Sequence, residues 1–338
     1  MKPFLVVENL TVKFPTPDGI VNAVNGLSYA VPLGRTLAIV GESGSGKSVS
    51  SMAVLGLHDR KRTRISGSIR LGGEELIGLP ENELRRIRGG TVAMVFQDPQ
   101  SSLHPLYTIG SQITEAYRVH TKVGKEAAKK RAMELLDLVG IPNPRRRFDE
   151  YPHQFSGGMR QRVMIAMSLV NDPKLLIADE PTTALDVTVQ AEILDLLNQL
   201  QKEFGSAIVL ITHDLAVVAE MADDVLVMYA GRCVEYGTVQ EVLAQPRMPY
   251  TWGLPESVPR VSAESERLRP IKGLPPSLLA LPEGCSFHPR CPYVDRVEGA
   301  RCFHQLPELV PVDGDHTSRC HLTDPAGIYA AEVEPRLV

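Results

Sequence analysis

The segment GESGSGKS, Gly41 to Ser48, constrains this chain more than any other. It follows the β-branched run TLAIV and precedes VSSMAVLGL, so a strand, a glycine-rich turn and a helix are expected in that order. The pattern G-x-x-x-x-G-K-[ST] in that setting reads as a phosphate-binding loop. Gly41, Gly44 and Gly46, with Ser43 and Ser45 between them, let successive N–H groups curl around phosphate oxygens. The N-terminus of the following helix adds partial positive charge, Lys47 reaches the β and γ phosphates, and Ser48 can ligate Mg2+. A glycine-rich turn without a ligand is the competing reading.

A second element, LLIADEP at Leu175 to Pro181, is an apolar strand ending in two carboxylates. Adjacent strand side chains point to opposite faces, so Asp179 and Glu180 are expected to have different tasks. Asp179 at the strand end can hold the Mg2+ shell, and Glu180 can face the γ phosphate and polarise an attacking water as a general base. A pair of solvated strand-end acids is the plainer alternative. Beside the phosphate loop, the pair indicates an NTPase core.

Strand-like runs LAIV, TVAMVF, LLIADE, AIVLIT and DVLVMY alternate with helical patterns through the first 240 residues, which implies an α/β sheet. Between TVAMVF and LLIADE, about residues 108–170, the periodicity is helical and includes KEAAKKRAMELLDLVG, so a helical subdomain is expected there. After residue 244 prolines come in quick succession, among them Pro246, Pro249, Pro255, Pro259 and Pro270. This places a boundary between a nucleotide-binding domain, 1–244, and a small irregular Cys-rich domain, 245–338.

Composition removes several other classes. Hydrophobic residues at 43% and charged residues at 22% are those of a folded globular chain, not a disordered one. A net charge of −4 gives no global basic field, so nucleic acid is not an expected partner. MKPFLVVENLTVKF lacks the sustained apolar core of a secretory signal, and no run approaches a membrane span. A cytosolic start is therefore expected, with any membrane role exercised through a partner.

Between the two nucleotide elements lies FSGGMRQR, Phe155 to Arg162. With it, the order of motifs resembles the ATP-binding subunits of ABC transporters. The resemblance implies that Ser156, Gly157 and Gly158 open a helix whose N–H groups bind a γ phosphate presented by a partner subunit. Met159 stands where that family commonly has Gln, which removes a polar side chain and leaves the backbone donors. Gln97 in VFQDP resembles the glutamine that touches Mg2+ or its water and reports nucleotide occupancy to the membrane partner. Ala184, Leu185 and Asp186 resemble the loop that crosses the dimer interface, and His213 in LITHD the switch histidine at the γ phosphate. Phe14 stands near the position of the family's adenine-stacking aromatic, and a core Phe is nearly as good a reading.

VKFPTPDGIVNAVNGLSY, QDPQSSLHPLYTIGSQI and GCSFHPRCP narrow the resemblance to the oligopeptide and dipeptide importer branch. That branch implies ATP hydrolysis driving import through two membrane permeases. The partners implied are a second ATPase subunit, a related chain or a copy of this one, and indirectly an extracytoplasmic peptide-binding protein. The branch also implies a peripheral location on the cytoplasmic face of the membrane and permease docking around Gln97 to Thr108. Arg145, Arg146 and Arg147 read as a solvated charge run. The rival functions are a soluble ABC-type ATPase and an ATP- or redox-gated regulatory module.

Four cysteines crowd the tail as Cys285-x5-Cys291-x10-Cys302-x17-Cys320. Four thiols suit tetrahedral zinc or a 4Fe-4S cluster. The spacing lacks C-x2-C knuckles, and Cys291-Pro292 resembles ferredoxin-type ligation, which makes iron–sulfur the first expectation. His288, His304, His316 and His321 could substitute in a zinc site, and free or disulfide-linked thiols are the remaining alternative. Cys233 reads as a small buried hydrophobe.

Overall fold

The computed structural model describes residues 2–183, 185–256 and 271–336. Its strands are β1 (Pro3–Thr16), β2 (Gly19–Pro32), β3 (Thr36–Val40), β4 (Arg64–Leu71), β5 (Glu74–Glu75) and β6 (Val92–Val95). There follow β7 (Leu175–Asp179), β8 (Ala207–Ile211), β9 (Asp224–Tyr229), β10 (Arg232–Thr238), β11 (Val310–Asp313) and β12 (His316–Ser318). The helices are α1 (Lys47–Val54), α2 (Glu81–Ile87), α3 (Pro99–Ser102), α4 (Ile109–His120), α5 (Lys125–Leu138), α6 (Pro144–Arg147) and α7 (Gly157–Leu169). Beyond them lie α8 (Val187–Phe204), α9 (Leu215–Met221), α10 (Val239–Ala244), α11 (Pro249–Glu256), α12 (Arg301–His304) and α13 (Pro325–Glu332). The five strand-like runs of the sequence are β3, β6, β7, β8 and β9.

Two compact units divide the chain: Met1–Leu5, Ala30–Thr36 and Arg70–Ile211 form one, and Val6–Tyr29, Leu37–Ile69 and Thr212–Val338 the other. In the first, β6, β7 and β8 run parallel, with Val92 opposite Leu175 and Leu175 opposite Ala207. Every residue of these strands is buried, which is why they read as unbroken apolar runs. The chain between β6 and β7 is helical. Thr108 caps α4 by accepting from Ser111 N–H, and α5 ends at Val139 before Gly140, whose φ of 73° turns the chain out of the helix. Gly110 on α4 lies under Phe148, where a Cβ would meet the ring at 2.3 Å.

In the second unit β3 pairs in parallel with β9, and β9, β10, β12 and β11 continue antiparallel in that order. A bulge between Cys233 and Glu235 breaks the β9–β10 register. Strands β2, β1 and β4 lie side by side in a separate sheet, burying Val7, Leu10 and Val12 of β1.

The Cys-rich segment 245–338 does not separate as a compact unit of its own. Its compact unit runs back through α10 and β9, and β11 and β12 extend the sheet from β10. Cys285, Phe287, Val297 and Cys302 bury into one core with Tyr229, Val234, Met248 and Tyr250. The segment shares this core with β9, β10 and α11.

Candidate functional site

The phosphate-loop motif is built on β3, five buried residues that deliver the chain to Gly41. Two glycines are sterically required. Gly41 has φ 148° and a Cβ there would lie 2.2 Å from the Met228 carbonyl; Gly46 has φ 103° and its Cβ would lie 2.2 Å from the Ala23 carbonyl. Gly46 also stands as N-cap of α1 with no side-chain cap hydrogen bond, so the helix start opens onto the loop. Lys47, 6% exposed, donates to the Gly41 carbonyl at 2.7 Å and the Glu42 carbonyl at 3.0 Å. Ser45 Oγ is buried with no hydrogen-bond partner among the described residues. Ser43 and Gly44 are exposed and Ser48 is half-buried.

Glu42 carries contacts that the motif does not announce. Its carboxylate is gripped by Arg290, Nη1 to Oε2 at 2.6 Å and Nη2 to Oε1 at 2.9 Å. Its N–H donates to the Tyr250 hydroxyl at 2.7 Å. Pairing with Glu42 raises the Arg290 guanidinium pKa above its ordinary value. Phe14, also in this unit, is half-buried and meets the His58 ring edge-on with centroids 5.5 Å apart. His213 is exposed just beyond β8.

In the other unit, Asp179 ends β7 with 6% exposure. Glu180 follows with φ 47°, its N–H donating to the Ile211 carbonyl at 2.8 Å, a left-handed residue that turns the chain off the strand. Its Oε2 accepts from Gln97 Nε2 at 3.0 Å and from Thr183 Oγ1 at 2.8 Å. The structure thus brings Gln97 and Glu180 together, and adds Thr183, which no sequence motif singles out. Gln161 of α7 donates to the Pro181 carbonyl at 2.6 Å, tying the signature helix to the same turn.

Ser156 is the N-cap of α7, accepting from Met159 N–H at 3.2 Å, so the Met at that position donates its backbone to the cap. Gly157 and Gly158 form the first turn, and a Cβ on Gly158 would meet Val189 Cγ1 at 2.7 Å. Asp186 caps α8 through Val189 N–H, and Ala184 lies outside the described residues.

The metal expectation for the tail gains no support from the placement of its side chains. Among the described residues no three His, Cys, Asp or Glu side chains are placed to hold a metal ion, so no metal centre is established. All five cysteines are free thiols. Burial pushes the Cys291 and Cys320 thiols up to about 12 and Cys302 up to about 11. Three of the four candidate histidines are engaged elsewhere: His316 pairs with Glu235 at 2.8 Å, His288 with the Cys285 carbonyl at 2.9 Å, and His321 with the Gln305 carbonyl at 2.8 Å. Cys233 is buried as expected.

Comparison with known proteins agrees with these motifs. The ABC transporter family matches residues 24–183, and the C-terminal region of oligopeptide/dipeptide transporters matches residues 234–297. The oligopeptide transport ATP-binding protein OppD of Escherichia coli is 54% identical over 86% of this chain and 86% of its own length. The chain belongs to the ABC transporter ATP-binding family. Within that family, OppD of Bacillus subtilis is 50% identical over 98% of this chain and 91% of its own. OppD of Mycobacterium tuberculosis is 52% identical over 99% of this chain, which spans only 55% of that relative's length. Among solved structures, a dimeric ATP-binding cassette bound to ADP and Pi superposes with TM-score 0.63 at 28% identity, covering 70% of this chain and 98% of its own. The cassette cbiO1 of Clostridium perfringens gives TM-score 0.61 at 32% identity over 72% of this chain and 92% of its own. These likenesses establish the ABC ATPase cassette fold. No helix among the described residues is long and apolar enough to cross a membrane.

Proposed function

We propose that this chain is the ATP-binding and ATP-hydrolysing subunit that powers import of oligopeptides or dipeptides through partner permeases. The observation that carries the reading is Glu180, a carboxylate at the end of a buried strand, oriented by Gln97 and Thr183. It supplies the base that hydrolysis requires. Relatives named for oligopeptide transport, matching at both the cassette and the C-terminal region, favour an importer over a soluble ATPase or a regulatory module.

Gly41 to Ser48 and the start of α1 bind the phosphates of ATP, with Lys47 on the β and γ groups. Ser48, Gln97 and Asp179 are oxygen donors that suit Mg2+, which when bound neutralises charge on the phosphates. Glu180 takes a proton from water, whose oxygen bonds to the γ phosphorus as the bond to the ADP oxygen breaks. His213 contacts the γ phosphate, and Phe14 stacks on adenine. Ser156, Gly157 and Gly158 serve the nucleotide of a second ATPase subunit, a related chain or a copy, so that binding closes the pair and hydrolysis reopens it. Two permeases receive that motion around Gln97 to Thr108, and an extracytoplasmic binding protein feeds them. The chain works peripherally on the cytoplasmic membrane face and binds no nucleic acid. Peptide uptake by the reconstituted importer tests the reading: Lys47→Ala abolishes uptake, and uptake at the normal rate in that variant refutes it.

A second reading for the tail is an iron–sulfur cluster held by Cys285, Cys291, Cys302 and Cys320. One observation favours it: all four thiols pack in or against one core. Four irons with acid-labile sulfide in anaerobically purified protein, lost in Cys291→Ser, support it; protein without iron retires it.

A further inference from the structure

We propose that Arg290 and Tyr250, both in the C-terminal third of the chain, are positioning residues that hold the phosphate loop through Glu42 and thereby set nucleotide affinity. The inference rests on the nucleotide-binding reading of Gly41 to Ser48 and goes beyond it, because neither residue belongs to a nucleotide motif.

Every polar group of Glu42 is engaged. Its carboxylate takes both arms of the Arg290 fork, its N–H donates to Tyr250, and its carbonyl accepts from Lys47 Nζ at 3.0 Å. The residue that fixes the turn entering the loop therefore also touches the loop's phosphate-binding lysine. Arg290 is itself fixed: Nε donates to the Lys272 carbonyl at 3.0 Å, Nη2 to the Ile271 carbonyl at 3.3 Å, and Nη1 to the Tyr229 hydroxyl at 3.3 Å. Its side chain is 5% exposed. Tyr250 is fully buried and packs with Tyr229 and Phe287, ring centroids 4.6 and 5.5 Å away. The clamp is thus rigid on the side opposite the loop.

Charge gives the clamp a direction. A carboxylate inside a loop that receives a polyphosphate repels its ligand, and a low-dielectric setting strengthens that repulsion. A planar guanidinium meeting it through two parallel hydrogen bonds neutralises it and holds it in one orientation. Loss of Arg290 therefore leaves an unpaired negative charge at the phosphate site as well as a loosened turn. Neutralising Glu42 as well removes the first defect.

The test uses the full chain, with Kd read from a fluorescent trinitrophenyl ATP and KM and kcat from ATP hydrolysis by the membrane complex. Arg290→Gln weakens nucleotide binding about tenfold, within the ordinary range of site-to-site coupling. KM rises by the same factor while kcat stays within about twofold. Glu42→Gln combined with Arg290→Gln binds tighter than Arg290→Gln alone, and Arg290→Lys, which keeps the charge without the fork, falls between the extremes. Tyr250→Phe, a milder change, raises Kd in the same sense and serves if Arg290 variants fail to fold, as judged by thermal melting. Kd unchanged in both Arg290→Gln and Tyr250→Phe, or no recovery in the double variant, overturns the clamp. Lys47→Ala separates the two readings: if it retains nucleotide, the phosphate-loop reading fails; if it loses nucleotide while Arg290→Gln does not, only the clamp fails.

Discussion

Gln97 Nε2 donates to the Glu180 carboxylate across 3.0 Å, joining a residue that follows β6 to one that follows β7. The two had separate expected roles, one reporting occupancy and one activating water. Their hydrogen bond makes the first a means of orienting the second. Thr183 completes the arrangement from the same oxygen at 2.8 Å.

Removing either donor lets the carboxylate turn away without abolishing nucleotide binding. Gln97→Ala and Thr183→Val each lower kcat for ATP roughly ten- to a hundredfold, less than loss of the base itself, with nucleotide Kd nearly unchanged. Steady-state hydrolysis beside equilibrium binding checks this. A rise in Kd with kcat intact would place both residues in binding instead.

Gly46→Ala forces a Cβ to within 2.2 Å of the Ala23 carbonyl at a φ of 103°. Backbone carbonyls do not yield as side-chain tips do, so the loop must deform. Expected is a stability loss of about 2–4 kcal/mol together with loss of nucleotide binding. Denaturant unfolding with and without ATP measures both.

Glu235 and His316 form a buried pair, 0% and 1% exposed at the side chain, and the carboxylate also accepts from the N–H groups of Arg247 and Met248. Glu235→Ala leaves His316 and two backbone donors without their acceptor. A cost of about 3–5 kcal/mol is expected, measured as a drop in unfolding free energy. A loss below about 1 kcal/mol would mean that the pair does not fasten β12 to β10.

Much of this was readable in the chain. The five short strands, the phosphate loop and the helix opened by Ser156 depend on local pattern: apolar runs of strand length, glycines at fixed spacing, a capping serine. The long strands β1 and β2 were not, because half-exposed alternation broken by Asn9 and Gly26 at positive φ obscures their period. Nor was the Glu42–Arg290 pair, whose members are 248 residues apart, although an acid inside a phosphate loop does ask for a counter-charge. The tail's packing was not readable from its sequence. Its aromatic and aliphatic side chains find their core on β9, β10 and α11, partners far away in the sequence.

The thiols carry a pH dependence. Cys291 and Cys320, ordinarily near 9, are raised by burial to about 12. A raised acid favours its neutral form in the folded state, so the stabilisation is complete below about pH 9 and is lost as pH climbs from there toward 12. Chelator-treated protein should therefore unfold more readily with each step above pH 9, and at pH 8 iodoacetamide should modify these thiols far more slowly than a free cysteine. Rapid alkylation at pH 8 contradicts the raised pKa values of these half-buried thiols.

Whether Glu180 drives transport is decided by ATP hydrolysis and peptide uptake in the reconstituted importer carrying Glu180→Gln. Nucleotide binding is expected to persist while hydrolysis falls by at least about a hundredfold, with peptide uptake falling alongside it. Hydrolysis at the unaltered rate would contradict Glu180 as the base, and uptake that continues without hydrolysis would contradict the coupling itself.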